Sequence, residues 1–299
     1  MATRTRVELG RREDLGADCA NCFGLCCVAL AFAKSADFPF DKDAGDPCTN
    51  LADADGCRIH PHLRERGFSG CTVFDCSGAG QKVSQHTFAG RSWRDDAETQ
   101  RSMFATFPIV RRLHDLLRHL DEAITLVRSR ADDDRWVSAF DRVRSLSDGT
   151  ADELATLDVD AEYDRARPLL LEASEFARST GPVGAYRRRV GAGSDLVGAD
   201  LRNADLRGTT MRGSLAIAAD LRGARLERCE VLGVDLRDAD LRGTDLRGAV
   251  FLTQMQVNST RGDADTTLPD GFQRPGHWAT TVTPPRRGPS GRGARSRQR

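Results

Sequence analysis

The sequence predicts an α+β multi-domain chain: a small metal-stapled cysteine-rich domain, then a helical segment, then a C-terminal solenoid. Three observations carry the expectation. Eight of the nine cysteines fall between positions 19 and 76. Through 97–182 apolar residues recur at three- and four-residue steps, the spacing of one helix face. From 194 to 253 the chain repeats every five residues without insertion. A length of 299 residues suits two domains or three small ones.

Charge and hydropathy narrow the class. Lys+Arg and Asp+Glu are equal at 44 each, which excludes a globally basic nucleic-acid binder and a globally acidic protein. Only Lys34, Lys42 and Lys82 are lysines, and every other basic residue is arginine. The longest apolar run, Leu25 to Ala33, is far below the roughly 18 residues that span a bilayer. The first residues carry arginines but no apolar core of a secretory signal. A soluble cytoplasmic protein without membrane partners is expected.

Residues 1–96 hold the cysteine cluster, many Gly, Asp and Pro turn signals, and short apolar stretches such as Val28–Ala33 and Cys71–Phe74. Small strands and loops around a thin core are expected. In 97–182, Thr106 and Pro108 read as a helix start, followed by Val110, Leu113, Leu117, Leu120, Ile124 and Val127 on one face. A second helix is expected from the Asp132–Asp134 trio, with Trp136, Phe140 and Val143 aligned. Thr150 and Glu153 form a capping-box pattern, and a last helix is expected from near Pro168 to Arg178.

Written in fives, 194–253 reads SDLVG, ADLRN, ADLRG, TTMRG, SLAIA, ADLRG, ARLER, CEVLG, VDLRD, ADLRG, TDLRG, AVFLT. Neither a period of 2 nor one of 3.6 fits, and the recurrent glycines break helices. One large apolar, one small and three polar positions per unit suggest a chain that turns a corner every unit, so four units close a square coil. The A(D/N)LXX pattern resembles the pentapeptide-repeat family. That resemblance implies a right-handed quadrilateral β-helix, here of about three coils, with central residues stacking every twenty positions. The stacks would be Leu196, Ala216, Leu236; Leu201, Leu221, Leu241; Leu206, Leu226, Leu246; and Met211, Val231, Phe251. Cys229 falls at a small inner position and reads as a buried hydrophobe. Residues 254–278 are expected to cap the last coil with Phe272 and Trp278, and 279–299, with six arginines and no acid, reads as a disordered basic tail that could touch nucleic acid only weakly.

The cysteine spacing is Cys19-x2-Cys22-x3-Cys26-Cys27, then Cys48, Cys57, Cys71 and Cys76. Disulfides need an oxidising compartment, and unrelated buried cysteines would not crowd so closely. Thiolates are soft ligands for zinc or an iron–sulfur cluster, and Cys-x2-Cys delivers two sulfurs from one loop. Eight could close two tetrahedral zinc sites, or serve one cluster and another metal. His60, three residues after Cys57, is the best nitrogen candidate, ahead of His62 and His86. CANCFGLCC, PCTNL, GCRIH and GCTVFDC also resemble, in order, a zinc- or iron-chelating domain that opens CxxCxxCC. Here one extra residue precedes the Cys pair, and His60 stands where that family often has an aromatic. The resemblance implies chelation and no particular reaction.

No nucleophile elbow or Walker A motif is present: the stretch Gly78-Ala79-Gly80-Gln81-Lys82 lacks the Gly-Lys pair. No catalytic residue is assigned. The expected function is a metal-binding interaction or scaffold protein with a protein partner. The alternative is an iron-dependent or redox-sensing enzyme at the cysteines. A DNA-mimicking topoisomerase binder, which some pentapeptide-repeat proteins are, would need an acidic surface, whereas 194–253 carries ten acids and nine arginines.

Overall fold

The computed structural model describes residues 14–130 and 132–280. Residues 281–299, where most of the expected basic tail lies, fall outside the described residues. Four helices form the centre: α1 Ala97–Val127, α2 Asp134–Ser147, α3 Ala151–Ala155 and α4 Val159–Ser179. A fifth, α5 Gln254–Asn258, follows the repeats.

The long helix α1 starts nine residues before the Thr106–Pro108 signal. Asp96 accepts from the backbone N–H groups of Glu98 and Thr99 at 3.0 and 2.8 Å, so the helix is nucleated there and carries Pro108 in its interior. Likewise α4 begins at Val159, capped by Asp158, and passes through Pro168. In both cases the upstream carboxylate cap outweighs the proline as a start signal. The Thr150–Glu153 capping box forms at α3. Helices α2, α3 and α4 pack on α1, burying Leu113, Leu117, Leu120, Trp136 and Phe140, and the indole of Trp136 donates to the Leu169 carbonyl at 2.9 Å.

The expected C-terminal quadrilateral β-helix, and with it the α+β assignment, is corrected. Among the described residues there are no strands or sheets, and the regular elements are helices. Residues 194–251 instead form a train of turns joined by isolated one-residue parallel bridges, such as Asp200↔Asp220 and Asp220↔Asp240. The reason is the length of the unit. Every fifth residue from Gly198 to Gly248 takes the left-handed conformation, including Asn203, Ala218, Arg228 and Asp238. Only one residue per unit is left to pair before the chain turns, which is too short for a ladder. The twenty-residue register still holds. Leu201 donates its N–H to the Asp220 carbonyl at 2.8 Å, and Leu221 to that of Asp240 at 2.9 Å.

Inside this coil Leu206, Leu221, Leu226, Leu241, Leu246 and Cys229 are fully buried. Outside, Asp–Arg pairs two residues apart recur, such as Asp205–Arg207 at 2.7 Å, and Arg225 reaches back to Asp205 at 2.9 Å across one rung. Phe251 departs from the expected stack. It takes φ 60° and packs with the helical core, edge-on to His119 at 6.0 Å. Beyond it, α5 and Trp278 join the coil's interior, and the Trp278 indole donates to Thr260 at 3.0 Å.

The strands expected in 1–96 are likewise absent among the described residues, where two antiparallel bridges, Phe32↔Lys42 and Leu51↔Cys57, stand in for them. Within this part Phe32, Phe38, Phe40 and Phe68 pack on one another, and others of its apolar residues share the helical core. Leu15, Leu25, Val28, Leu51, Val83 and Trp93 all belong to the cluster built on α1.

Candidate functional site

The chain presents its cysteines on turns fixed by local hydrogen bonds. Asp18 accepts from Ala20 N–H at 3.2 Å and caps the 3-10 turn Cys19–Asn21. Gly24, at φ 67°, swings the chain into the helical turn Leu25–Val28, which carries Cys26 and Cys27. The left-handed φ favours glycine, and a Cβ there would also meet the tip of Leu51 at 2.7 Å and the Asp55 carbonyl at 3.1 Å. On the opposing segment, Ser77 at φ 49° and Gly78 at φ 82° follow Cys76 and lead into the helical turn Ala79–Gln81. Gln81 ties the two segments together, accepting from Asp18 N–H at 3.1 Å and donating to the Gly16 carbonyl at 2.7 Å.

The result is a partition of the eight cysteines. Cys19, Cys22, Cys26 and Cys76 line one small pocket of about 20 Å³, with Asp18, Gly80, Gln81 and Phe107 completing the wall. That volume holds a single water-sized object. A Cβ on Gly80 would stand 2.7 Å from the Cys22 sulfur, so the glycine is what lets that sulfur approach, while the Cys76 sulfur at 3.8 Å would be in ordinary contact. Burial pushes the Cys22 thiol up to about 11, opposed by backbone N–H groups of Leu25 and Gly24. Burial also raises Cys76, opposed by the N–H groups of Gly80 and Gly78. At both sulfurs the net shift is upward, so burial outweighs the backbone donors and favours the neutral thiol.

Cys27, Cys48, Cys57 and Cys71 form the other group. The Cys48 N–H donates to the Cys27 carbonyl at 3.0 Å, and Cys57 bridges Leu51. Burial pushes Cys71 up to about 12, and Cys27, Cys48 and Cys57 add to the rise. Beside them Lys42 is buried, its ammonium donating to the carbonyls of Val28, Leu30 and Asp43 at 3.2, 2.6 and 2.9 Å. Burial pushes the Lys42 pKa down, and Cys48 and Cys27 are among the groups that oppose the shift. The two groups touch where the chain passes from Cys26 to Cys27, whose sulfurs lie 3.9 Å apart. Hydrogen bonding to Cys27 raises Cys26 and lowers Cys27.

Among the described residues no three His, Cys, Asp or Glu side chains meet at distances that would hold a metal ion. His60 does not join either group: it is exposed at the start of the 3-10 turn His60–His62. His62 pairs with Glu65 at 3.0 Å, and His86 is exposed. Cys229 is buried in the coil, away from the cluster. Sequence reasoning missed Gly80, Gln81 and Lys42. In sequence the Gly78–Lys82 stretch reads as a failed phosphate loop, whereas its second glycine makes room for the Cys22 sulfur. No described helix is long and apolar enough to cross a membrane.

Two comparisons bear on this arrangement. Residues 194–230 and 217–251 match the family model described as pentapeptide repeats, eight copies. Over 265 residues the chain is 47% identical to the uncharacterized protein YybG of Bacillus subtilis (strain 168), covering 89% of this chain and 95% of that protein.

Proposed function

The chain belongs to the family that includes Bacillus subtilis YybG and carries pentapeptide repeats in its C-terminal part; on that premise we propose that it is a thiolate metal-binding protein whose repeat coil serves as a rigid scaffold for a protein partner. One observation carries the metal reading: four cysteines from two distant segments line a pocket with room for one ion. In the proposal Cys19, Cys22, Cys26 and Cys76 hold one ion, and Cys27, Cys48, Cys57 and Cys71 a second. The four-thiolate donor set suits zinc, as it also suits an iron–sulfur cluster, and the narrow pocket favours the single ion. A four-thiolate ion is structural: it supplies folding energy and leaves no open position for a substrate.

The protein's own groups do the rest. Backbone N–H groups at Leu25, Gly78 and Gly80 steady ionised sulfur, and Lys42 offsets charge at the second quartet. The scaffold part of the reading is supported by the coil's surface, on which aspartates are paired to arginines rung by rung. Such a surface is electrically balanced and is not the anionic rod that a DNA mimic needs.

The test is metal analysis of protein purified without oxygen. Two zinc ions per chain and no visible colour are expected. Cys22→Ser and Cys71→Ser should each remove one ion, and Cys229→Ser none. A folded chain with eight freely titrating thiols and no metal would overturn the reading. A brown, oxygen-labile protein would replace zinc by an iron–sulfur cluster.

A further inference from the structure

The two ends of the repeat coil are finished differently. At the C-terminal end the last rung is covered: Leu241 donates its N–H to the Arg261 carbonyl at 2.7 Å, and Leu246 to that of Thr267 at 3.0 Å. At the N-terminal end the cover is half a rung. Gly184 donates to the Arg207 carbonyl at 2.8 Å and Gly193 to that of Arg212 at 2.7 Å, so residues 184–193 lie over the third and fourth units of the first rung. Val190 and Tyr186 of this segment join the coil's interior. The first and second units, 194–198 and 199–203, have no such bonds on this side. Among the described residues no donor reaches the carbonyls of Asp195, Val197, Asp200 or Arg202, and the N–H groups of Asp195 and Asp200 have no acceptor. The end is therefore a step one rung high, about 4.8 Å, half of it raised and half bare.

The side chains match this relief. Asp195, Asp200 and Arg202 are exposed on the bare half, and Val197 is the most exposed large apolar side chain among the described residues. Asp220 and Asp240 each face an arginine of the rung before, Arg202 and Arg222, at 3.8 Å. Asp200 has no rung before it to supply one. Asp195 has no ion pair with a described residue, because Val197 stands where its unit would carry arginine. The bare half holds two acids and one arginine, whereas the raised segment 184–193 holds three arginines and no acid. Of these, Arg189 is exposed and has no ion pair with another described residue.

An edge of unpaired N–H and C=O groups is a template for another chain. A second copy of this chain has the complementary shape. Turned about a twofold axis, the raised half of each copy descends on the bare half of the other, and a basic segment meets each acidic step. We propose that two copies of the chain join head to head in this way, the segment 184–193 of each covering residues 194–203 of its partner. The joint rests on the scaffold reading in making a second copy the coil's partner, and it uses none of the cysteines. A monomer would sink the joint, whereas missing metal would sink only the thiolate reading.

Sedimentation equilibrium of the full chain, as isolated, should show a reversible monomer–dimer equilibrium in the micromolar range. Hydrogen exchange of the same samples, read by mass spectrometry, should slow across 194–203 as the dimer forms and stay unchanged across 259–268 at the capped end. Asp195→Arg, checked for native circular dichroism, should weaken the dimer by about tenfold, since it sets arginine against a basic segment. Arg247→Glu, near the capped end, should leave it unchanged. The proposal is overturned if the chain is monomeric throughout, if exchange across 194–203 is the same in monomer and dimer, or if the folded Asp195→Arg variant associates like the parent. Exchange in the parent alone decides the matter if that variant does not fold.

Discussion

Leu221 and Arg222 are neighbours in sequence and opposites in environment. The leucine is fully buried in the middle rung, in the register that places Leu201 one rung before it and Leu241 one rung after. The arginine faces solvent and pairs with Asp220 on its own rung and Asp240 on the next. Truncating Leu221 to Ala is expected to cost about 2–5 kcal/mol, since transfer energy is lost and neighbours held by the coil cannot collapse into the cavity. Arg222→Ala should leave the denaturant midpoint close to that of the parent, because an exposed pair is screened and entropically costly to hold. Guanidinium melts of the two variants check the contrast. Equal midpoints would show that the central leucines do not carry the coil.

At the scale of elements, the last repeat unit is a plug. Phe251 leaves the coil and enters the helical core, while Glu122 of α1 accepts its backbone N–H at 2.6 Å. Phe251→Ala should therefore destabilise by about 3–5 kcal/mol and lower the helical melt, read at 222 nm, along with the coil. A loss confined to the coil would contradict the plug. The sequence could not have said this, because the period of five places Phe251 in the stack of Met211 and Val231. What ended the register is a partner more than a hundred residues upstream. The same holds for the helices: three- and four-residue steps mark the buried face of α1, but Pro108 misplaced its start because the Asp96 cap gives no periodic signal. In the coil, twelve fives mark which residues turn inward. They do not distinguish strands from single bridges, which depends on every fifth residue taking positive φ. Among the cysteines, crowding is visible in the spacing, whereas the division between Cys26 and Cys27 depends on the turn at Gly24.

For the whole molecule, the parts are fastened to one another by specific bonds. Arg64 donates to the Asn258 carbonyl at 3.0 Å, and Asn258 donates through its side chain to the Thr72 carbonyl at 3.0 Å. Arg228 of the coil donates to the Ala177 carbonyl at the end of α4 at 3.1 Å. With a shared core as well, unfolding should be one cooperative transition. Circular dichroism reports the helices, and labelling of Cys229, located by mass spectrometry, reports the coil. Coincident midpoints are expected, and a coil that opens well before the helices would show the parts to be independent.

The clasp between Arg64 and Asn258 joins residues 194 positions apart. A ribosome adding about 5–20 residues per second needs about 10–40 s to make that stretch. For that interval the newly made cysteine segment waits without the turn that clasps it, and for the first part of it without the helices that bury it, the last of which ends at Ser179. A chain born in this order completes its first part last, so its thiols spend their most accessible period before the fold that encloses them exists.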